Sequence, residues 1–268
     1  MTIKMAFHRF LTTRRTLHVS LLCALFAATW ASAQQVKPSE VEDRINRVKQ
    51  GKFGLADVEV IAEAHAVEAI PILKRQFDRT KDQHAKAKIA GALSRLGDKE
   101  QVYWDFLENL ARTAVESGAP YPIRFDAQGK IMPQQFTPDL LQWAKDRNIS
   151  PGDATQMAVY DIPGKVFLLA ETGDPRGLSL LREAMSSPNY MIQVVAAKGL
   201  AFLQDKESIP LIIGACQLAP ADMAAVIAEA LIFFDDPQAQ SAAATYIPKN
   251  TLEALREVKH EPANDPFR

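Results

Sequence analysis

A pattern that recurs every 31 residues constrains this chain more than any other feature. Ile192-Gln-Val-Val-Ala-Ala-Lys-Gly-Leu200-Ala-Phe-Leu203-Gln-Asp205 is followed by a short apolar segment. The order then returns as Met223-Ala-Ala-Val-Ile-Ala-Glu-Ala-Leu231-Ile-Phe-Phe234-Asp-Asp236. Leu200 and Leu231 are 31 residues apart, and so are Asp205 and Asp236. A fixed period of this length marks units that cannot bury an apolar face alone and stack on their neighbours.

Two more units share the pattern, so four positions recur in the first helix of successive units. Leu93, Leu169, Leu200 and Leu231 form one set. Ala90, Val166, Ala197 and Ala228 lie three residues earlier, on the same helical face. Leu96, Thr172, Leu203 and Phe234 lie three later, and Asp98, Asp174, Asp205 and Asp236 close each unit. Small residues let helices approach while leucines fill the layer between units. Each Asp falls between two helices, where its carboxylate is expected to cap the second. Asp174-Pro175 and Asp236-Pro237 strengthen that reading, because Pro suits the first helical position.

The order Ala85-Lys86…Ala90-Gly91-Ala92-Leu93-Ser94-Arg95-Leu96-Gly97-Asp98, with Ile192 to Asp205, resembles the short bacterial units of the HEAT-repeat family. The resemblance implies an all-α fold, a right-handed α-solenoid of HEAT-like helical hairpins. The arginine that often pairs with the family's aspartates is replaced by Lys86, Ile162, Gln193 and Ala224. A regular Arg–Asp ladder is therefore not expected, and packing must supply most of the cohesion between units.

The chain divides accordingly. Residues 1–33 read as a secretory signal peptide: Lys4, Arg9, Arg14 and Arg15, then the apolar run 19–30, then Ala31-Ser32-Ala33. The apolar run of 12 residues is too short for a permanent anchor. Residues 39–116 hold an N-terminal cap helix and the first two units. Ser39 with Glu42 fits a capping box, Gly51 is expected to end that helix, and Asp57 is expected to cap the next. Ile70 to Val102 is 32 residues, whereas Val102 to Leu178 is 76, so residues 117–160 form an insert. Within it, Tyr121–Phe125 and Lys130–Met132 flank a Gly129 turn and predict a small hairpin. Thr137-Pro138 and Ser150-Pro151 each open a helix. Pro163 is expected to break or kink the chain before a helix over 165–172. Residues 161–259 carry the remaining units and a last capping helix opened by Asn250, and 260–268 is expected to fray. The fold class is thus all-α with one mixed loop, hairpin and helix insert.

Charge and composition narrow the function classes. Signal cleavage removes four cationic and no acidic side chains, so the formal charge falls from -1 to -5. That balance lacks the footprint of a nucleic-acid binder. One cysteine, Cys216, remains in an apolar helix and reads as a buried thiol. His65, His84 and His260 are not at metal-ligand spacing, and no nucleophile or phosphate-loop motif occurs. His65 reads as a partly packed repeat residue. Asp126, Asp139, Asp146, Asp153 and Asp161 in the insert read as caps and solvated charges. No catalytic residue, cofactor or metal is assigned.

Among the insert's aromatics, Trp143 and Phe136 read as its own small core. Tyr121, Arg124 and Phe125 stand open between a partner-binding surface, where aromatics beside Arg are common anchors, and a pin holding the insert to the units. The reading as a whole is a non-enzymatic scaffold exported to the periplasm or beyond. It would bind a protein or peptide on a concave face, with no stable membrane insertion after cleavage. A structural subunit of an envelope complex is the alternative, and a HEAT-like lyase or other enzyme a more distant one.

Overall fold

The computed structural model describes residues 37–259, the side chains of 133, 134, 258 and 259 excepted; the signal peptide expected at 1–33 and the tail at 260–268 lie outside the described residues. The described chain is mostly helical, with a single two-stranded sheet.

Helix α1 (Pro38–Lys49) precedes a pair formed by α2 (Leu55–Glu63) and α3 (Ile70–Arg79). The second pair is α4 (Gln83–Arg95) and α5 (Gln101–Glu116). The insert contributes β1 (Ile123–Phe125), β2 (Ile131–Phe136), α6 (Pro138–Asp146) and α7 (Pro151–Gln156). A π-helical turn (Met157–Asp161) then leads into α8 (Ile162–Ala170), which pairs with α9 (Leu178–Ala184). The fourth pair is α10 (Tyr190–Phe202) and α11 (Ile209–Leu218). The fifth is α12 (Ala221–Ala228), continued by a 3-10 turn (Glu229–Phe233), with α13 (Pro237–Tyr246); α14 (Lys249–Lys259) follows.

Each pair packs on the next. Helix α1 lies on α2 and α3, α2 on α4, α4 on α8, α8 on α10, and α10 on α12 and its 3-10 turn. Helix α8 also packs directly against α5, so residues 117–161 between them do not separate the second pair from the third. The recurring leucines explain this. Leu93, Leu169, Leu200 and Leu231 are all buried, as are Ala90, Val166, Ala197 and Ala228. Each buried leucine contributes roughly 1.5–3 kcal/mol. Helices α8 and α10 approach so closely that a Cβ on Gly199 would stand 2.8 Å from the Ala170 Cβ. Only glycine fits there.

Several local expectations hold. Gly51 ends α1 with φ +70°. Thr137 accepts the Leu140 N–H, and Ser150 accepts the Asp153 N–H. Asp236 caps α13 through the Gln238 N–H, and Asp174 caps the 3-10 turn (Pro175–Gly177) that leads into α9 through the Arg176 N–H. Trp143 is buried and donates its indole N–H to the Ser117 carbonyl.

Others are corrected. Ser39 is not the cap of α1: Pro38 is pre-set for the first helical position, so the helix starts before Ser39, behind Lys37. Asp57 sits three residues inside α2, which begins at Leu55. Its carboxylate accepts the Gly54 N–H while pairing with Arg44 and Arg47 of α1. Asp98 does not cap α5, since the N–H it accepts is that of Glu100, which precedes the helix. Asp205 caps nothing, because it receives a two-pronged pair from Arg182 at 2.9 and 2.6 Å. Pro163 does not break the chain, because residues 151–170 run helically without a gap, but α geometry gives way to the π-helical turn Met157–Asp161 just before it, where the helix accommodates a residue without an N–H. Helix α14 starts at Lys249, so Asn250 lies inside it. Phe136 and His65 are exposed.

No regular ladder forms, as expected, but two isolated rungs do, built from the second helices instead of the first. Lys74 is the fifth residue of α3 and pairs with Asp98 at 2.6 Å; Arg182 is the fifth residue of α9 and pairs with Asp205 at 2.6 Å. In α11 that place is Ile213.

Candidate functional site

The hairpin turns at Asp126–Gly129, where Asp126 accepts the Gln128 and Lys130 N–H groups and Gly129 adopts φ +73°. β1 and β2 pair antiparallel with a register shift between Ile123 and Arg124. Such an irregularity twists the ribbon and re-aims it. Its tip meets the start of α12. Asp222 Oδ2 accepts the Ile131 N–H at 2.9 Å, its Oδ1 receives Lys130 Nζ at 2.7 Å, and its own N–H donates to the Gly129 carbonyl at 3.1 Å. A Cβ on Gly129 would lie 2.4 Å from the Ala221 nitrogen, so the contact requires glycine. Asp222 is buried, in the first turn of α12, where the helix dipole favours its charge.

Tyr121 and Phe125 stack at 5.5 Å, and both rings pack on Tyr190 at the start of α10, at 5.3 and 5.9 Å. Tyr121 is buried and its hydroxyl has no hydrogen-bond partner. Burial, then the Asp222 charge, pushes its phenol up to about 12. Arg124, between the two rings in sequence, is exposed. The three residues singled out in the sequence thus divide: two rings hold the hairpin on α10, and the guanidinium faces solvent. The Lys130–Asp222 contact joins residues 92 apart, and nothing local in the sequence marks it.

A second cluster lies where the first three pairs meet. Glu171, just past the end of α8, is buried beside Lys88 and Arg95 of α4 and Glu59 of α2. Lys88 stands 3.5 Å from both carboxylates and 5.5 Å from the Phe167 ring centroid; Arg95 contacts Glu59 and lies 3.9 Å from Glu171. Burial pushes Glu171 up to about 7, and the Glu59 charge adds to that against the pull of Lys88 and Arg95. Burial also opposes ionisation of Glu59, but Arg95 and Lys88 outweigh it and hold that carboxyl below its usual range. Of these four groups, titration of Glu171 changes the summed charge from +1 to zero. The repeat register marks part of this cluster: Arg95 and Glu171 each stand two residues after the buried leucine of their units, Leu93 and Leu169. Glu59, Lys198 and Glu229 all stand two residues before the buried core position of their units, and Lys198 approaches Glu229 at 3.8 Å.

Cys216 is buried, and burial pushes its thiol up to about 12, which leaves it a poor nucleophile. Among the described residues, no helix is long and apolar enough to cross a membrane. No known protein family, characterised protein or solved structure matches the chain.

Proposed function

We propose that the chain is an exported, non-enzymatic interaction scaffold, an α-solenoid of HEAT-like hairpins that binds a protein or peptide. The observation that carries this reading is the hairpin tied to α10 and α12. A loop held by a buried carboxylate, a required glycine and three packed rings has already lost the entropy that a binding loop otherwise gives up on contact. Arg124 is the part of it left to a partner, and a guanidinium recognises carboxylates in two-pronged pairs. The row of second helices supplies the rest of the surface, as in repeat proteins generally.

The test is crosslinked capture from the cell envelope with the wild-type chain and with Arg124→Glu. Arg124 is exposed, so the variant should keep its helical circular dichroism. Capture of one protein at fixed stoichiometry, lost in the variant, supports the scaffold. Equal capture by both removes the hairpin from the reading, and capture of nothing by either removes the scaffold.

A further inference from the structure

Helix α11 (Ile209–Leu218) has no charged residue. Ile209, Ile212 and Cys216 are its buried positions. On the opposite side lie the exposed Leu211 and Leu218, with Leu218 88% exposed, and the half-buried Gly214 and Ala215; the exposed Gln217 is the helix's one polar side chain. A Cβ built on Gly214 would meet only open space. A surface helix ordinarily turns a polar face to water, and one that is apolar all round is covered all round. Here only one side of α11 is covered. Beside it, α13 exposes Gln238, Ser241, Ala244 and Thr245, again without charge.

We infer that this face is the twofold interface of a homodimer, with α11 of one copy lying antiparallel on α11 of a second. Two observations select a second copy as the occupant. The outward stripe reads Leu211, Gly214, Ala215, Leu218, the same pattern in either direction about the midpoint between Gly214 and Ala215. A twofold axis through that point sets Leu211 opposite Leu218 of the second copy and Gly214 opposite Ala215. Large residues then meet at both ends while the small pair lets the backbones close. Charge is the second observation. A twofold interface apposes a surface to itself, so charges near the axis meet their own kind. Helix α3 carries Lys74, Arg75 and Arg79, and α5 carries Asp105, Glu108 and Arg112, whereas α11 and α13 carry none. Two ten-residue helices side by side offer a face on the order of 300 Å² per copy. A standard stable interface buries about 800 Å² per partner, so the dimer is reversible and concentration-dependent. The face takes up α11 and α13, two of the second helices that the scaffold reading gives to a partner, but not Arg124, so failure of the Arg124→Glu capture test and failure of the self-association test are distinguishable.

Sedimentation equilibrium on the full chain tests it. The weight-average mass should rise with concentration from 29.6 kDa towards twice that value. Leu218→Asp should weaken self-association at least about tenfold, since a charge would have to be buried against its own copy. Leu141→Asp, at an exposed position of α6, should leave it unchanged. Ala215→Cys should yield an intermolecular disulfide on oxidation, while Cys216, buried on the other side, should not. A chain that stays monomeric into the millimolar range overturns the inference, whether or not it binds lipid vesicles or another protein. So does a dimer that Leu218→Asp leaves intact, or one that Leu141→Asp disrupts as much.

Discussion

Replacing Glu171 by Gln isolates a carboxyl at which burial outweighs the neighbouring cations. Its ordinary value near 4.5 is raised to about 7 in the folded chain. Between those values the folded state holds a proton that the unfolded state has released. Stability from this group is therefore complete below pH 4.5 and declines as pH rises to 7, beyond which the buried carboxylate is ionised. At about 1.4 kcal/mol per unit, the decline is on the order of 3 kcal/mol. Gln keeps the shape of the protonated carboxyl and cannot ionise, so its curve should lack this slope. The side chain is almost wholly buried, so salt screening should alter the result little. Urea unfolding followed by circular dichroism between pH 5 and 8 gives the measurement. The wild type should lose stability across that range and Glu171→Gln should stay flat, overtaking it at pH 8. If both chains fall in parallel, the joint between α2, α4 and α8 does not hold a buried, protonatable Glu171. The lower limb has the opposite sign. Asp57, paired with Arg44 and Arg47, is lowered to about 2, so its contribution is lost as pH falls from about 4 towards 2.

Asn189 is fully buried and does two things: its Oδ1 accepts the Met191 N–H at 2.9 Å, and its Nδ2 donates to the Ala158 carbonyl in the π-helical turn at 2.7 Å. Asn189→Ala should cost roughly 2–4 kcal/mol in chemical denaturation, from the lost cap and the orphaned carbonyl. Asn189→Asp, which keeps the cap acceptor but turns an oxygen towards Ala158, should also destabilise; a neutral Asp variant would disprove the role of the donor. His65 follows α2 with φ +50° where the corresponding Gly97 and Gly173 have φ +86° and +61°. It is exposed, so His65→Gly should raise the melting temperature, with a gain of roughly 0.5–1 kcal/mol from relief of the left-handed backbone.

The helical units, their leucine layers and the hairpin were legible in the sequence because each depends on neighbours within one period or one turn. The fixed spacing of Leu93, Leu169, Leu200 and Leu231 marks the faces that must be buried, and Thr137 and Ser150 announce their helices through hydrogen bonds three residues long. Gln204, which corresponds to Gly97 and Gly173 but reaches one period ahead to the Phe233 carbonyl and the Asp235 N–H, was hidden only by its side chain's length. Cap assignments failed where the helix starts earlier than the capping residue, as at Ser39, Asp57 and Asn250, or where a partner from another helix competed, as at Asp205. Asp205 met Arg182, and Asp57 met two arginines of α1.

Tertiary structure alone decided where the insert goes and which charges meet. Asp222 looks in sequence like any acidic residue opening a helix. It becomes the anchor of the hairpin because the third to fifth pairs bring its carboxylate beneath Lys130 and Ile131. Glu171 is an ordinary end-of-helix glutamate until α2 and α4 close over it. Periodicity specifies which faces are apolar, and apolar contacts are non-directional, so it determines that units pack. A hydrogen bond or an ion pair depends on distances of a few ångströms between distant segments, and those exist only once the chain has folded.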